Sequence, residues 1–488
     1  MIPHAPLLAT LLPIISAGLI FIFRRYIKNF EGWIASVGAL LSVGIILSMV
    51  REIIELRSVD DTYAWISTPS LHLTLGFTVD EISFSIGLVA AIVSALSCFY
   101  SIKYMKEKHG QCGYYTNLLL FMAGMIGVIF SANLIQFYLF WELMLIPSYF
   151  LIAHWGISKK RLSIGFKYFI FTHVGALFML MGILSIYTFT GTFNFVELPL
   201  AVEQAVENSV MSASDVLAVF VLLLIGFCVK MAVFPVHTWL PDAHAEAPTP
   251  ISAMLSGVMI KCGAYAFARI FLSAFGKTVT QTSDVLAILG VITMIYGGLV
   301  ALAQTDIKRL LAYSSISQMG YIFFGLGVYS TMGATGALFH VVNHAVCKSL
   351  LFMCAGAIIH QTGIRHIRKL GGLADKMPMT CAATLIGALS LAGTPPLNGF
   401  WSEWMIFSGG ISSGKILITT VAIVSTAITA GYYLWFVWRV FFGTTPKRIE
   451  NTKEAPWLMR IPIIVLAVIA VVVGIWPDIV LRLLSVPF

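Results

Sequence analysis

The sequence predicts an all-α polytopic membrane protein of about 14 transmembrane helices, and three features carry that expectation. Of its 488 residues, 59% are hydrophobic and 11% charged, with a mean hydropathy of +0.91. A water-soluble domain would carry about a quarter charged residues. Apolar runs recur at close to the ~20 residues that cross a hydrocarbon core. The loops between them alternate between basic and acidic or neutral, the pattern that orients helices in a bilayer.

The N-terminal segment, 1–110, holds three expected spans at 4–23, 32–50 and 82–102. The first run is long for a secretory leader, and its basic residues Arg24 and Arg25 follow it, so it reads as a retained helix. The polar stretch 51–81 has room for a short hairpin or a surface helix. Residues 111–275 hold five spans, at 116–131, 134–155, 165–190, 215–236 and 249–274, with a second polar stretch at 191–214. Residues 276–442 hold five more, at 284–303, 310–329, 333–359, 380–408 and 414–441. A last helix, 458–484, lies in 443–488. Nothing is left over for a water-soluble domain.

Arg24, Arg25 and Lys28 begin a series of basic loops that continues with Lys103, Lys106 and Lys108, then Lys159, Lys160 and Arg161. Lys308 and Arg309, Arg365, Arg368 and Lys369, and Lys447, Arg448 and Lys453 complete it. The alternate loops hold Glu52, Glu55, Asp60 and Asp61, then Glu197, Glu203 and Glu207, then near-neutral turns at Lys277 and Ser412. The positive-inside rule puts the basic set in the cytoplasm and both termini on the outer side, most simply of a prokaryotic cytoplasmic membrane. The connection 237–249 falls on the cytoplasmic side without a basic excess. Spread this way, the net charge of +8 orients helices and marks no nucleic-acid surface.

Two spans are interrupted. Lys230-Met-Ala-Val-Phe-Pro235 sets a proline just after a lysine, and Leu391-Ala-Gly-Thr-Pro-Pro-Leu-Asn-Gly399 sets Pro395 and Pro396 in mid-span. Proline removes a backbone donor and breaks a helix. Non-helical backbone at membrane depth survives only inside protein or beside water. Interruptions five spans apart predict two inverted five-helix repeats, the fourth to eighth and ninth to thirteenth spans, with sites at the breaks.

Five ionisable residues sit within the apolar spans: Glu142, Lys230, Lys261, Lys348 and Glu403. At roughly 2.5–3.5 kcal/mol each they oppose insertion by on the order of 12–18 kcal/mol, a cost that falls if they face one another or water. Similar depths on different helices describe a line in the membrane plane, not a vertical pore. His340, His344 and Lys348 add a ladder on one helix face, each step drifting about 40° and rising ~6 Å. Imidazoles and a desolvated amine so spaced can pass a proton through water. The competing reading makes Glu142 and Lys230 a structural ion pair and the histidines simple contacts to a facing helix. Arg269 and Arg439 read as snorkelling or loop-pairing residues.

The seven cysteines form no C-x-x-C pair, and neither a metal spacing nor a phosphate-binding glycine loop is present. Any redox chemistry is therefore expected in other subunits.

The run from Lys230 through His-Thr-Trp-Leu-Pro-Asp-Ala-His to Met254, followed by Lys261-Cys-Gly-Ala-Tyr265, resembles the central signature of the antiporter-like subunits of respiratory complex I. Mrp-type cation/proton antiporters and membrane-bound hydrogenases share it. Phe140-Trp-Glu-Leu-Met144, Ala312-Tyr-Ser-Ser-Ile-Ser317 and Pro396-Leu-Asn-Gly-Phe-Trp-Ser-Glu403 extend the resemblance over most of the chain. It implies 14 helices, inverted repeats and breaks in the seventh and twelfth. It also implies roles: Glu142 and Lys230 as an input pair, Lys261 as the central relay, Glu403 as the terminal site. An acidic residue at that last position is similar to the M-type (mitochondrial fourth) subunit. Two departures stand out. Gln318 occupies a place where many M-type chains carry His, so only water organisation is expected of it. Lys348 follows an antiporter- or L-like pattern, which points to an archaeal or early-branching complex.

The resemblance implies a proton-translocating subunit of an NADH (or other donor):quinone oxidoreductase. No cofactor is expected in this chain; flavin, iron–sulfur clusters and quinone or an analogue would sit in partners. Those partners would be L- and N-type membrane neighbours and a peripheral electron-transfer arm. The alternatives are an Mrp-type Na⁺/H⁺ antiporter subunit, a hydrogenase subunit, or a scaffold.

Overall fold

The computed structural model describes residues 2–68 and 71–484. Helices α1 (Ala5–Ile22), α2 (Glu31–Ser48) and α3 (Val50–Leu56) lead into an antiparallel hairpin, β1 (Ser58–Thr68) with β2 (Leu71–Asp80). Its register runs from Ser58 opposite Asp80 to Thr68 opposite Leu71. Next come α4 (Glu81–Tyr104), α5 (Gln111–Phe130), α6 (Leu134–Trp155), α7 (Arg161–Thr190), the short α8 (Leu198–Glu207), α9 (Ala213–Met231) and α10 (Trp239–Glu246). The following span is a composite. It joins α11 (Thr249–Met254), a π turn at Leu255–Met259, α12 (Lys261–Ala266), a second π turn at Phe267–Phe271, and α13 (Leu272–Ala274). The remainder is α14 (Gly276–Leu302), α15 (Ile307–Gly327), α16 (Thr331–Thr362), α17 (Pro378–Leu391), α18 (Asn398–Ser412), α19 (Ile416–Phe441), α20 (Trp457–Ile475) and α21 (Asp478–Leu481).

The starts and stops have local causes. Asp80 accepts from the Ser83 N–H while the Ser83 hydroxyl lies against the Asp80 N–H, closing a capping box at α4, and Ser212 with Asp215 does the same at α9. Asn133, Asp306 and Ser330 cap α6, α15 and α16 by accepting from the third residue on. α7 and α16 end on Gly191 and Gly363 with left-handed backbone, which glycine adopts freely.

α16 is the axis of the fold, packed against α4, α11, α15, α17, α18 and α20. The composite span is buried over 249–268 and α16 over 336–358. The outer helices instead turn large apolar side chains outward, among them Phe21, Trp33, Phe166, Leu417 and Val472, as lipid contact requires. Neighbours pack in the same order in both central stretches: α5 on α6, α6 on α7 and α7 on α9, then α14 on α15, α15 on α16 and α16 on α17 and α18.

The protein is a mostly helical polytopic membrane protein, with departures from the sequence expectation. Strands are present, because the polar 51–81 stretch forms the hairpin; Gly76 N donates to Gln136 Oε1 at 2.8 Å and Asn133 Nδ2 to Thr74 O at 2.7 Å, tying it to α6. The connection 237–249 is not an open loop but holds the buried α10. The last span stops at Ile475, ahead of Pro477. Twelve helices among the described residues are long and apolar enough to cross a membrane. The two further expected spans are α15, rich in serine, and the pair α17 and α18, each too short alone.

Both interruptions are complete stops. α9 ends one residue past Lys230, Ala232 turns left-handed, and Phe234–Pro235 is cis. The exposed end is closed by Trp239, whose indole donates to Val229 O at 3.0 Å. α17 ends at Leu391, and the chain passes through Gly393 (φ 71°) and a cis Pro395–Pro396 bond into α18.

Candidate functional site

Seven expected residues fall along this interior, but not as one set of ion pairs. Glu142 and Lys230 are not partners. Trp141 and Glu142 are adjacent on α6, so their side chains diverge by about 100°. The tryptophan points inward, its ring centre 4.9 Å from the Lys230 ammonium. The carboxylate points toward α7, with Oε2 3.3 Å from His173 Nδ1. Lys230 is 1% exposed, while Glu142 and His173 are 18% and 35% exposed by side chain, at the lateral surface of the chain. Lys230 Nζ and Glu142 Oε1 have no hydrogen-bond partner in the protein. The sequence pattern did not single out His173; a histidine midway along an apolar 30-residue helix was the available signal.

Lys261 stands between the two π turns, a distortion that recurs at functional positions. Its ammonium donates back to the Ser256 carbonyl. Ser256 Oγ lies 2.7 Å from Ser315 Oγ, and Ser315 donates to Leu311 O at 2.8 Å. Lys348 donates to the same Leu311 carbonyl at 3.1 Å and to Ser314 Oγ. Two helix-borne amines are thus joined by a short hydroxyl and carbonyl chain. Ser256 and Ser315 escaped the sequence reading because serines are common in helices that pack closely in membranes.

The ladder on α16 is real, and its members have unequal surroundings. His344 stacks on His340 with centroids 6.0 Å apart, and neither of its nitrogens has a protein partner. His340 is held at both: Nε2 lies 2.6 Å from Gln318 Oε1 and Nδ1 2.9 Å from Ser402 Oγ. Gln318 also donates to Leu391 O at 3.3 Å, the last carbonyl before the break. So Gln318 does more than the water organisation expected of it: it ties α16 to the end of α17. Asn343 and Asn398 complete the latch, Asn343 donating to Asn398 O at 2.9 Å and Asn398 to Asn343 Oδ1 at 3.0 Å.

Glu403 lies one turn into α18, 5% exposed, with Oε1 unpartnered. Gly393 is required beside it twice over. Its φ of 71° suits glycine, and a Cβ there would press on Glu403 Oε2.

Among the described residues, none of the ion pairs includes Lys230, Lys261, Lys348 or Glu403. The closed pairs are elsewhere: Arg269 with Asp80, Arg57 with Glu81, Arg309 and Lys167 with Asp242, Arg365 with Asp306, Lys415 with Asp284. Arg269 is therefore the loop-pairing residue expected, and Arg439 reaches Arg368 O at 3.4 Å. Burial pushes the Asp80 carboxyl up, but the Arg269 guanidinium and the Ser83 donors outweigh it and hold the group below the usual carboxylate range.

Known proteins share this architecture. Residues 131–429 match the family described as NADH:quinone oxidoreductase/Mrp antiporter, TM, and residues 65–115 match the N-terminus of NADH-ubiquinone oxidoreductase (complex I) chain 5. The F(420)H(2) dehydrogenase subunit M of Methanosarcina mazei is 32% identical over 99% of this chain and 97% of its own length. One Na(+)/H(+) antiporter subunit of Bacillus subtilis is 34% identical over 97% of this chain, which spans 61% of that protein. In structure, a chain of the membrane-bound sulfane sulfur reductase (MBS), an archaeal respiratory membrane complex, superposes with a TM-score of 0.88 at 31% identity, covering 98% of this chain and 77% of that one. A chain of respiratory complex I from Thermus thermophilus shares the fold, with a TM-score of 0.86 at 24% identity and 98% of each chain covered. An M-type relative over the full length and a chain-5 match near the N-terminus agree with the mixed M- and L-like features of the motifs. The chain belongs to the family of antiporter-like membrane subunits shared by NADH:quinone oxidoreductases and Mrp antiporters.

Proposed function

We propose that this subunit translocates protons within a complex I-like oxidoreductase, along a line from Glu142 through Lys230, Lys261 and Lys348 to Glu403. One observation carries the reading. Six ion pairs bind Arg57, Lys167, Arg269, Arg309, Arg365 and Lys415 to carboxylates, whereas Lys230 Nζ, Glu142 Oε1, both His344 nitrogens and Glu403 Oε1 are buried without a protein partner. Each such group costs roughly 1–3 kcal/mol. A scaffold gains nothing from leaving them open. A relay needs them free, because a group locked in a salt bridge cannot exchange its proton with water.

In this reading residues 111–275 and 276–442 form two half-channels, joined where water passes a proton between Lys261 and Lys348 across Ser256 and Ser315. The Glu142–His173 end, on the lateral surface, faces a neighbouring membrane subunit. Electron transfer takes place in partners that hold the flavin, iron–sulfur clusters and quinone or its analogue. The full-length likeness to a dehydrogenase subunit M and the acidic Glu403 support redox coupling. The 34% identity to an antiporter protein and the lysine at Lys348 favour a second reading, Na⁺/H⁺ exchange.

The test is proton uptake by inverted vesicles carrying the intact complex, with Lys230→Arg and Lys230→Met. A relay fails with both, since arginine keeps its proton at neutral pH, and a scaffold tolerates arginine. Sodium-dependent exchange without electron flow would favour the antiporter.

A further inference from the structure

Between Lys348 and Glu403 the histidine ladder meets an obstacle. His340 Nε2 faces the Gln318 amide oxygen, and Gln318 is itself oriented by donating to Leu391 O. An amide so held accepts a hydrogen bond but does not hand a proton on.

A second set of groups lies alongside, on α19 and α15. Tyr432 and Tyr433 are both fully buried, with rings 4.5 Å apart, and neither hydroxyl has a hydrogen-bond partner. Tyr433 is at the Lys348 end: the ammonium is 5.3 Å from its ring centre, and its hydroxyl lies beside Ser314, the serine that Lys348 contacts. The Tyr432 hydroxyl lies beside Thr429, Ser317, Tyr433 and Gln318. Thr429 Oγ1 is 3.1 Å from the Tyr321 hydroxyl, and Tyr321 stacks on His340 and is within electrostatic reach of Glu403. Ser314, Tyr433, Tyr432, Thr429 and Tyr321 therefore follow one another from the lysine to the carboxylate. Buried hydroxyls are nearly always bonded, and the two open tyrosine hydroxyls are free to bond along the row.

We propose that this row of hydroxyls carries the proton between Lys348 and Glu403, a deepening of the function proposed above. Each hydroxyl receives a proton on an oxygen lone pair and releases its own hydrogen to the next. The Lys348 ammonium becomes an amine, the Glu403 carboxylate becomes a carboxylic acid, and no group between them changes charge overall. The hydroxyls then rotate to reset the row. Tyrosine suits this position because its ring packs apolar neighbours while its tip stays polar.

The experiment uses the intact complex in inverted vesicles, comparing protons taken up per electron transferred. Tyr432→Phe with Tyr433→Phe removes two oxygens and keeps both rings; Thr429→Val breaks the row at a different oxygen with little change of volume. The expected result is loss of this subunit's share of the proton stoichiometry for either variant, with this subunit still co-purifying and electron transfer continuing. Wild-type stoichiometry in both, while Lys348→Met loses that share, overturns the hydroxyl row and leaves the relay intact. Wild-type stoichiometry in Lys348→Met as well defeats the proposed function itself.

Discussion

Replacing Lys230 by methionine separates stability from function, because the two accounts of this residue predict effects of different size. If Lys230 were locked to a buried carboxylate, removing it would strand that partner and cost about 3–5 kcal/mol. The structure shows no such partner: Nζ has no hydrogen bond, and its contact is the Trp141 ring at 4.9 Å. Methionine fills similar volume. It removes an unsatisfied buried amine, worth roughly 1–3 kcal/mol of relief and more while the amine is charged, and gives up a desolvated cation–π contact worth roughly 2 kcal/mol. The relief at least offsets most of the loss, so the variant should be destabilised by no more than about 1 kcal/mol. The assay is thermal unfolding of the purified complex in detergent, followed by loss of this subunit, beside proton uptake on the same preparation. Near-normal unfolding is expected, with this subunit's share of proton uptake lost. A destabilisation of roughly 3 kcal/mol or more would refute it, since some group must then depend on that ammonium.

Other outcomes follow from the same geometry. Gly393→Ala forces a left-handed alanine, about 1–2 kcal/mol, and pushes on the Glu403 carboxylate; the complex should assemble with impaired pumping, and pumping at the wild-type level would show that Glu403's position does not matter. Gln318→Leu strands the Leu391 carbonyl and His340 Nε2, so thermal stability should drop by roughly 1–3 kcal/mol for each group; an unchanged melting temperature would remove Gln318 from the latch. Asp80 has a folded pKa below its unfolded value, so its contribution is fully present above the unfolded pKa of about 3.9. That contribution is lost as pH falls through the folded value. Protection of the β2 amides from hydrogen exchange should therefore hold from neutrality to about pH 4 and fall at lower pH, and Asp80→Asn should show the lower protection throughout.

Much of the fold was legible because proline, glycine and buried charge leave strong local marks. The stops after Lys230 and at Leu391 follow from Pro235 and from Gly393, Pro395 and Pro396, which remove donors or permit left-handed backbone. The lysines and Glu403 stood out because charge in apolar spans is costly wherever it points. What escaped reading depended on direction. A helical pattern shows that Trp141 and Glu142 diverge, but not which of them faces Lys230, so His173 went unnoticed. The π turns around Lys261 have no sequence signature. The links Ser256–Ser315 and Tyr432–Tyr433 depend on which faces of α11 to α13, α15, α16 and α19 meet, and hydroxyl-bearing residues suit almost any packed interface.

In the proposed relay a proton crosses between the two halves at Lys261, the π-flanked amine set across Ser256 and Ser315 from Lys348. Counting protons moved per electron pair in sealed vesicles bearing Lys261→Met and Lys261→Arg complexes tests this most directly. Both variants should assemble and both should lose this subunit's share of the stoichiometry. A wild-type proton count in either variant contradicts it.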